Sequence, residues 1–424
     1  MKLFFFAVLV GVTWGVRRLS ESAVIDPAGS ALLALGSLMI GGLLAGDLAV
    51  RFRLPRLSGY LLLGLVAGPY AIGLETVADA RFLRLFEELA LGLIALTAGG
   101  ELRLAGLRRH GRCLLSVITG HILLAPLVAA AMWLILPSIA GLATLTAGER
   151  LAAAALLGVI AVAVSPATTI AVITELRARG DVTSIVLGTT ILKDLVILLL
   201  FTWVNVLAHS WVAGQPTDFA VLRGVGIEVL LSLVVGAVLG LLLGAFMRVG
   251  HFVPLAVITL ALVSVEMSRT VHLEHLLVCM AAGFVVRNLF ETESRMFLDA
   301  LEVSSPPIYI IFFALVGAGL DLRIFALVWG PTVAFVVVRL VGVWLMTAIP
   351  AAIGGATERV RRYAWMGFVA QAGLSLGLAA RIQRELPGLG ESISLIIIGA
   401  VVVNQLAGPI LWTRALRASG EAKA

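Results

Sequence analysis

The chain has 424 residues, of which 60% are hydrophobic and 13% charged, with a formal net charge of +6 and a mean hydropathy of +1.08. No soluble domain of that length could hide so much apolar surface, so the composition excludes a water-soluble globular protein. The positive charge lies on arginines at the ends of apolar runs, which excludes a nucleic-acid partner, and two cysteines inside apolar stretches, Cys113 and Cys279, suggest neither a disulfide framework nor a metal site.

The first apolar run, residues 3–16 (LFFFAVLVGVTWGV), is short for a membrane span and suits a signal-peptide core, although Arg17 and Arg18 follow it directly. Residues 1–26 therefore read as either a cleaved signal or an extra N-terminal helix. Thirteen spans follow, at about 29–49, 57–75, 86–100, 113–137, 151–174, 182–206, 223–247, 251–267, 273–289, 304–321, 326–349, 362–382 and 392–413. No linker, low-complexity tract or soluble domain interrupts them. Lys and Arg number 18 on the side of the loop at 51–56 and 8 on the other. The positive-inside rule then places the former side and the C-terminus in the cytoplasm of a cell whose inner (plasma) membrane holds the chain.

Two spans carry polar, helix-weakening residues at mid-depth. The fifth reads GVIAVAVSPATTIAVITEL, with Ser165, Pro166, Thr168 and Thr169 at its centre. Pro166 has no N–H to give and breaks the local hydrogen-bond ladder. The twelfth reads WMGFVAQAGLSLGLAARI, with Gln371, Gly373, Ser375 and Gly377 at its centre. Thirteen spans divide as six, one and six, and the two runs fall on the fifth span of each six. Such paired interruptions point to a secondary transporter built of two six-helix inverted repeats joined by a linker helix. Small and hydroxyl residues in one span alone commonly serve only packing; the matched pair carries the inference.

The sixth span holds Lys193 and Asp194 side by side. An ionisable residue at the bilayer centre costs at least about 2.5–3.5 kcal/mol and marks an ion pathway or a structural ion pair. Neighbours on a helix point about 100° apart, so each needs its own partner. Asp194 reads as a carboxylate that binds a cation and releases it on protonation, against a static salt bridge as the plain alternative. Thr190, one turn earlier, offers a hydroxyl ligand to the same face. Lys193 has three readings: a lock onto an acid such as Glu87, Glu88, Glu101 or Glu228; a proton carrier; or a counter-ion occupying the cation site. Glu101 reads first as a solvated helix end, and Glu87 and Glu88 as acids favoured at a helix start. His121 reads as a packing or hydrogen-bonding residue; Thr202, Asn205, Asn404 and Gln405 read as interhelical hydrogen-bonders. No nucleophile, haem or nucleotide motif is visible, so neither an enzyme nor a cofactor is expected.

Four segments, in order, resemble the monovalent cation:proton antiporters, in the bacterial branch of sodium/proton exchangers and potassium-efflux proteins. They are RFRLPRLSGYLLLGLVAGPYAIGL at 51–74, FEELALGLIALTAGGEL at 86–102, LLVCMAAGFVVRN at 276–288 and IYIIFFALVGAGLDL at 308–322. The resemblance covers about 27–414. It implies an all-α polytopic membrane protein of about 13 transmembrane helices with crossed broken helices. It further implies a panel, or dimerisation, domain at 27–107 and 251–322, a transport core at 113–206 and 326–414, a linker helix at 223–247 and a cytoplasmic tail at 415–424. The site aspartate of the family falls on Asp194, beside the crossing. Where the family commonly has Asp, Asn or Gln before that aspartate, this chain has Lys193. A basic residue on the eleventh span matches Arg339, expected as a structural charge paired with a carboxylate.

The function so implied is exchange of a monovalent cation, Na⁺ or K⁺, for H⁺ by alternating access, in a homodimer, with any regulatory subunit a separate chain. Ser165, Pro166, Thr168, Thr169, Gln371, Gly373 and Ser375 would line the crossing. One-for-one exchange follows if only Asp194 releases a proton, and electrogenic exchange if Lys193 does so too. The alternative is an organic-anion carrier or a non-exchanging sensor that uses Lys193 and Arg339 as anion-binding charges.

Overall fold

The structure, a computed structural model, describes residues 27–52, 54–73, 76–138, 142–213, 220–249, 252–323, 328–386 and 388–422. The run at 3–16 lies outside them. Among the described residues every regular element is helical, as a chain embedded in lipid requires, because a helix satisfies its own backbone donors and acceptors. In chain order the helices are α1 (Pro27–Arg51), α2 (Arg56–Ala67), α3 (Val77–Glu101), α4 (Leu104–Arg109), α5 (Gly111–Ile135), α6 (Ala147–Val162), α7 (Pro166–Glu175) and α8 (Asp181–Ala213). They continue with α9 (Ala220–Val249), α10 (Val253–Val271), α11 (His275–Leu289), α12 (Glu293–Ala318), α13 (Trp329–Ile353), α14 (Glu358–Tyr363), α15 (Gly373–Glu385) and α16 (Leu389–Ala418). A helix stands at each of the thirteen expected spans. Eight described helical stretches, one of them the α6–α7 pair, are long and apolar enough to cross a bilayer, and up to ten spans result if each of two bent pairs counts as one.

Several spans differ from their expected edges: the third starts at Val77 rather than 86, the sixth ends at Ala213 rather than 206, and two others differ at a proline. The second, expected to reach residue 75, stops as a helix at Ala67. Pro69 forces the residue before it out of the helical region, and Gly68 is extended (φ −65°, ψ 170°). The tenth starts at Glu293 rather than 304 and bends by 51° between Glu293–Ser304 and Pro307–Ala318, where proline removes a ladder donor.

The chain divides into two compact units. One comprises the described residues up to Glu101 together with Val235–Asp321. Lipid tails are as apolar as Leu, so helices here associate through close packing rather than through escape from water. Gly64 on α2 lies against the backbone of Ala314, and Gly317 on α12 against that of Leu61; Gly99 and Gly283 do the same for α3 and α11. A Cβ at any of these four would meet a carbonyl oxygen. Phe297, Leu96, Val257 and Cys279 fill the core between them. Arg248 pairs with Glu293 at 3.1 Å, and Arg269 with Glu88.

The other unit comprises Leu102–Val234 and the described residues from Leu322 onward. Gly158 on α6 lies against the Ala125 carbonyl of α5, and Gly120 on α5 against Met346 and Pro350 of α13. These contacts bring α5, α6 and α13 close enough for their polar side chains to meet. All the intramembrane groups described next belong to this unit.

Candidate functional site

The fifth span is broken where its sequence loses helix support. α6 ends at Val162, residues 163–165 are not helical, and α7 restarts at Pro166. Ser165 caps the new helix: its Oγ accepts from Thr168 N at 3.2 Å, and Pro166 occupies the first turn, where an N–H has no partner anyway. Thr168 Oγ1 lies 3.0 Å from Ser165 Oγ and accepts from Gln405 Nε2 of α16 at 3.1 Å.

The twelfth span is broken as well. α14 runs into a 3₁₀ turn (Ala364–Phe368), residues 369–372 are not helical, and α15 leaves at a bend of 48°. No side chain caps α15 at Ala372. The exposed carbonyls of this break are satisfied from other elements. Gly367 O accepts from the Thr169 hydroxyl at 3.3 Å, and Ala370 O accepts from Ser165 N at 2.8 Å. That last bond joins the two breaks backbone to backbone. Gln371 donates to Ile160 O of α6 at 2.8 Å and accepts from Asn404 Nδ2 of α16 at 2.8 Å.

Arg339 of α13 completes the crossing. It is fully buried and donates to four carbonyls: Nε to Ala161 O (3.0 Å), Nη1 to Val369 O (2.9 Å), and Nη2 to Ala163 O (2.9 Å) and Phe368 O (3.0 Å). Two of these carbonyls lie at the first break and two at the second. A helix end carries partial negative charge on its orphan carbonyls, and the guanidinium neutralises both ends at once. The carboxylate expected beside Arg339 is thus replaced by backbone oxygens.

Lys193, in mid-α8, is 1% exposed. Its Nζ lies 3.0 Å from Nδ1 of His121 on α5 and 4.7 Å from the ring centroid of Phe368. His121, itself 0% exposed, stacks edge-on against Phe368 at 4.5 Å, and its Nε2 lies 3.0 Å from Thr347 Oγ1 of α13. The acceptor at Nζ is therefore an imidazole, whereas the first of the three readings of Lys193 paired it with a carboxylate among Glu87, Glu88, Glu101 and Glu228. Glu88 is taken by Arg269; Glu87 is half-buried on α3 and Glu101 exposed at its end. His121 was legible only as a hydrogen-bonding residue, and nothing in its surrounding sequence pointed to Lys193.

Asp194 follows Lys193 on the same continuous helix and is half-buried, the more accessible of the two. Thr190 Oγ1, one turn earlier, is buried with no hydrogen-bond partner among the described residues. The same holds for Ser375 Oγ on α15, while Gly373 starts that helix on an exposed face. Of the expected interhelical bonders, Asn205 reaches Glu385 of α15, and Asn404 and Gln405 hold the two breaks. Thr202 instead bonds its own helix at Leu198 O (2.8 Å). One contact was missed altogether: Glu421 caps the start of α8, accepting from Val182 N (2.8 Å), Thr183 N (2.7 Å) and Thr183 Oγ1 (2.7 Å).

Two interrupted helices crossing at their unwound centres, pinned by a buried arginine and flanked by an intramembrane charged pair, define the sodium/proton antiporter fold. The model of the family described as "Sodium/hydrogen exchanger, transmembrane" matches residues 35–416, and the chain belongs to that family of cation:proton exchangers. It is a multi-pass membrane protein. Its fold is similar to that of the sodium proton antiporter MjNhaP1 from Methanocaldococcus jannaschii. Against the structure at pH 8 the TM-score is 0.65 at 16% identity, covering 93% of this chain and 97% of that one. Against an electron-microscopy structure of the same antiporter it is 0.71 at 15% identity, covering 93% and 99%. No curated protein matches the chain.

Proposed function

We propose that the chain exchanges a monovalent cation, Na⁺ or K⁺, for H⁺, with Asp194 binding the two alternately. The observation that carries this reading is the half-buried carboxylate of Asp194 on α8, next to a lysine that packs on the second break at Phe368. Thr190 supplies a buried hydroxyl oxygen on the same helix face, with lone pairs to offer a hard cation. The balance is simple: a protonated Asp194 releases H⁺ as the cation enters, and the cation leaves as H⁺ returns. One site that cannot hold both ions exchanges them whenever it faces the two sides in turn. Ser165, Thr168, Thr169, Gln371 and Ser375 shape that site, and Arg339 keeps the breaks in place without joining the ion.

In this reading the unit that holds the breaks is the transport core, and the unit of α1–α3 and α10–α12 is the panel through which two copies form a homodimer. The chain lies in the inner membrane with its C-terminus in the cytoplasm. The organic-anion alternative loses support because both of its cations are engaged. Four N–H groups of Arg339 go to carbonyls, and Nζ of Lys193 faces an imidazole.

The test is proton flux in proteoliposomes with an internal pH dye, pulsed with Na⁺, K⁺ or Li⁺. Cation-driven alkalinisation in the wild type, lost in Asp194→Asn, is expected. Undiminished exchange in Asp194→Asn, or no cation response in the wild type across the neutral range, overturns the reading.

A further inference from the structure

The buried chain from Lys193 to α13 has a direction, and that direction comes from one hydroxyl. Thr347 Oγ1 donates its single proton to Val343 O, one turn back on α13, at 2.6 Å. It therefore faces His121 Nε2, 3.0 Å away, as an acceptor. Nε2 must then carry the ring proton. Nδ1 is left with a lone pair, aimed at Lys193 Nζ 3.0 Å away. The tautomer is assigned by its partners, as histidine tautomers are. Each link is used in one sense only: lysine to imidazole, imidazole to hydroxyl, hydroxyl to carbonyl. Phe368 packs beside both groups: Nζ lies 4.7 Å from its ring centroid, and the imidazole meets it edge to face.

We infer that His121 is a positioning residue for cation exchange: it anchors the Lys193 amine on the side of α5 and α13, and so limits its competition with the transported cation for Asp194. The inference rests on the reading of Asp194 as the exchange carboxylate. Lys193 is the neighbour of that carboxylate in sequence, and its flexible four-carbon stem can carry Nζ through a wide arc. Lys193 and Asp194 already interact electrostatically; an amine released from His121 can swing further toward that carboxylate on its flexible stem and act there as a resident cation. His121 supplies the competing acceptor. An imidazole suits this role better than a glutamate, because it holds the amine without adding a second negative charge near the ion.

The experiment measures KM for the cation and maximal rate separately, in proteoliposomes, alongside imidazole ¹⁵N NMR of the wild type. His121→Ala is expected to raise KM about tenfold or more, the worth of one hydrogen bond to a charged group. The maximal rate at saturating cation should stay near that of the wild type. His121→Gln, which keeps an acceptor and a donor, should recover most of the loss. In a Lys193→Met background, His121→Ala should leave KM where Lys193→Met alone puts it, since the anchored group is gone. The NMR spectrum should show a protonated Nε2 and a bare Nδ1, with the Nδ1 signal moving in Lys193→Met.

An equal rise in KM with and without Lys193 makes His121 a packing residue and overturns the inference, as does the opposite tautomer. The NMR result is read on wild-type protein, so it stands even if His121→Ala does not fold. Exchange that survives Asp194→Asn overturns the site reading instead, while the tautomer and its response to Lys193→Met still report on the anchor.

Discussion

The two breaks of the core look alike in outline and differ in how they are held. The first carries its own cap, although its carbonyls at Ile160, Ala161 and Ala163 accept from Gln371 and Arg339. Ser165 caps α7 with its own side chain, Pro166 starts the helix, and both are adjacent in sequence. The second has no cap of its own. Four successive carbonyls, Gly367 to Ala370, are satisfied by Thr169, Arg339 twice, and Ser165 N, all from distant parts of the chain. Both breaks take outside donors for their carbonyls, but the first also has a cap built from its own sequence, whereas the second has none. A buried carbonyl left without a donor costs about 1–3 kcal/mol, so the second break can persist only while its outside donors stay in place.

The largest expected effect comes from the residue the two breaks share. Arg339→Leu strands two carbonyls on each side and should cost several kcal/mol, with little folded protein recovered in detergent. Arg339→Lys, a point charge without the planar fork, should rescue only part of the loss. Thermal unfolding of both variants checks this; a wild-type midpoint in Arg339→Leu rules out the arginine as the pin.

A smaller loss, about 1–3 kcal/mol, is expected from Asn404→Leu, which leaves Gln371 Oε1 buried without its donor. It should loosen the second break alone, read as faster amide exchange over 364–376 with 160–170 unchanged. Equal loosening of both would mean that the two breaks form one cooperative unit.

The smallest effect is expected from Ser165→Ala, about 1 kcal/mol, the ordinary worth of an N-cap. The bond to Ala370 O comes from the backbone N of residue 165 and survives the substitution. Amide exchange should quicken in the first turn of α7 and stay slow in the second break; the reverse pattern would show that the first break is not locally held.

These differences explain how much was legible beforehand. Ser165–Pro166 announced its break because proline and an N-cap act on their nearest neighbours. The second run, with Gln371, Gly373 and Ser375, announced weakness but not how it is relieved. Arg339 and Lys193 were visible as charges that had to be accommodated; a carboxylate was the expected partner of Arg339 and one of three readings for Lys193. In both cases the hydrogen-bond partner is uncharged: carbonyls for the arginine, an imidazole for the lysine. Those partners lie far away along the chain, and single-sequence reasoning matches charge to charge because it cannot see which lone pairs are within reach.

The sequence by itself determined where the apolar helices lie and where two of them break, because hydrophobic length and proline geometry act over a few residues. Only the tertiary structure decided that His121 receives Lys193, that Arg339 serves four carbonyls and that Glu421 closes the start of α8. Each depends on hydrogen-bond geometry within about 3 Å between helices remote in the chain, and at that range packing, rather than local composition, selects the partner.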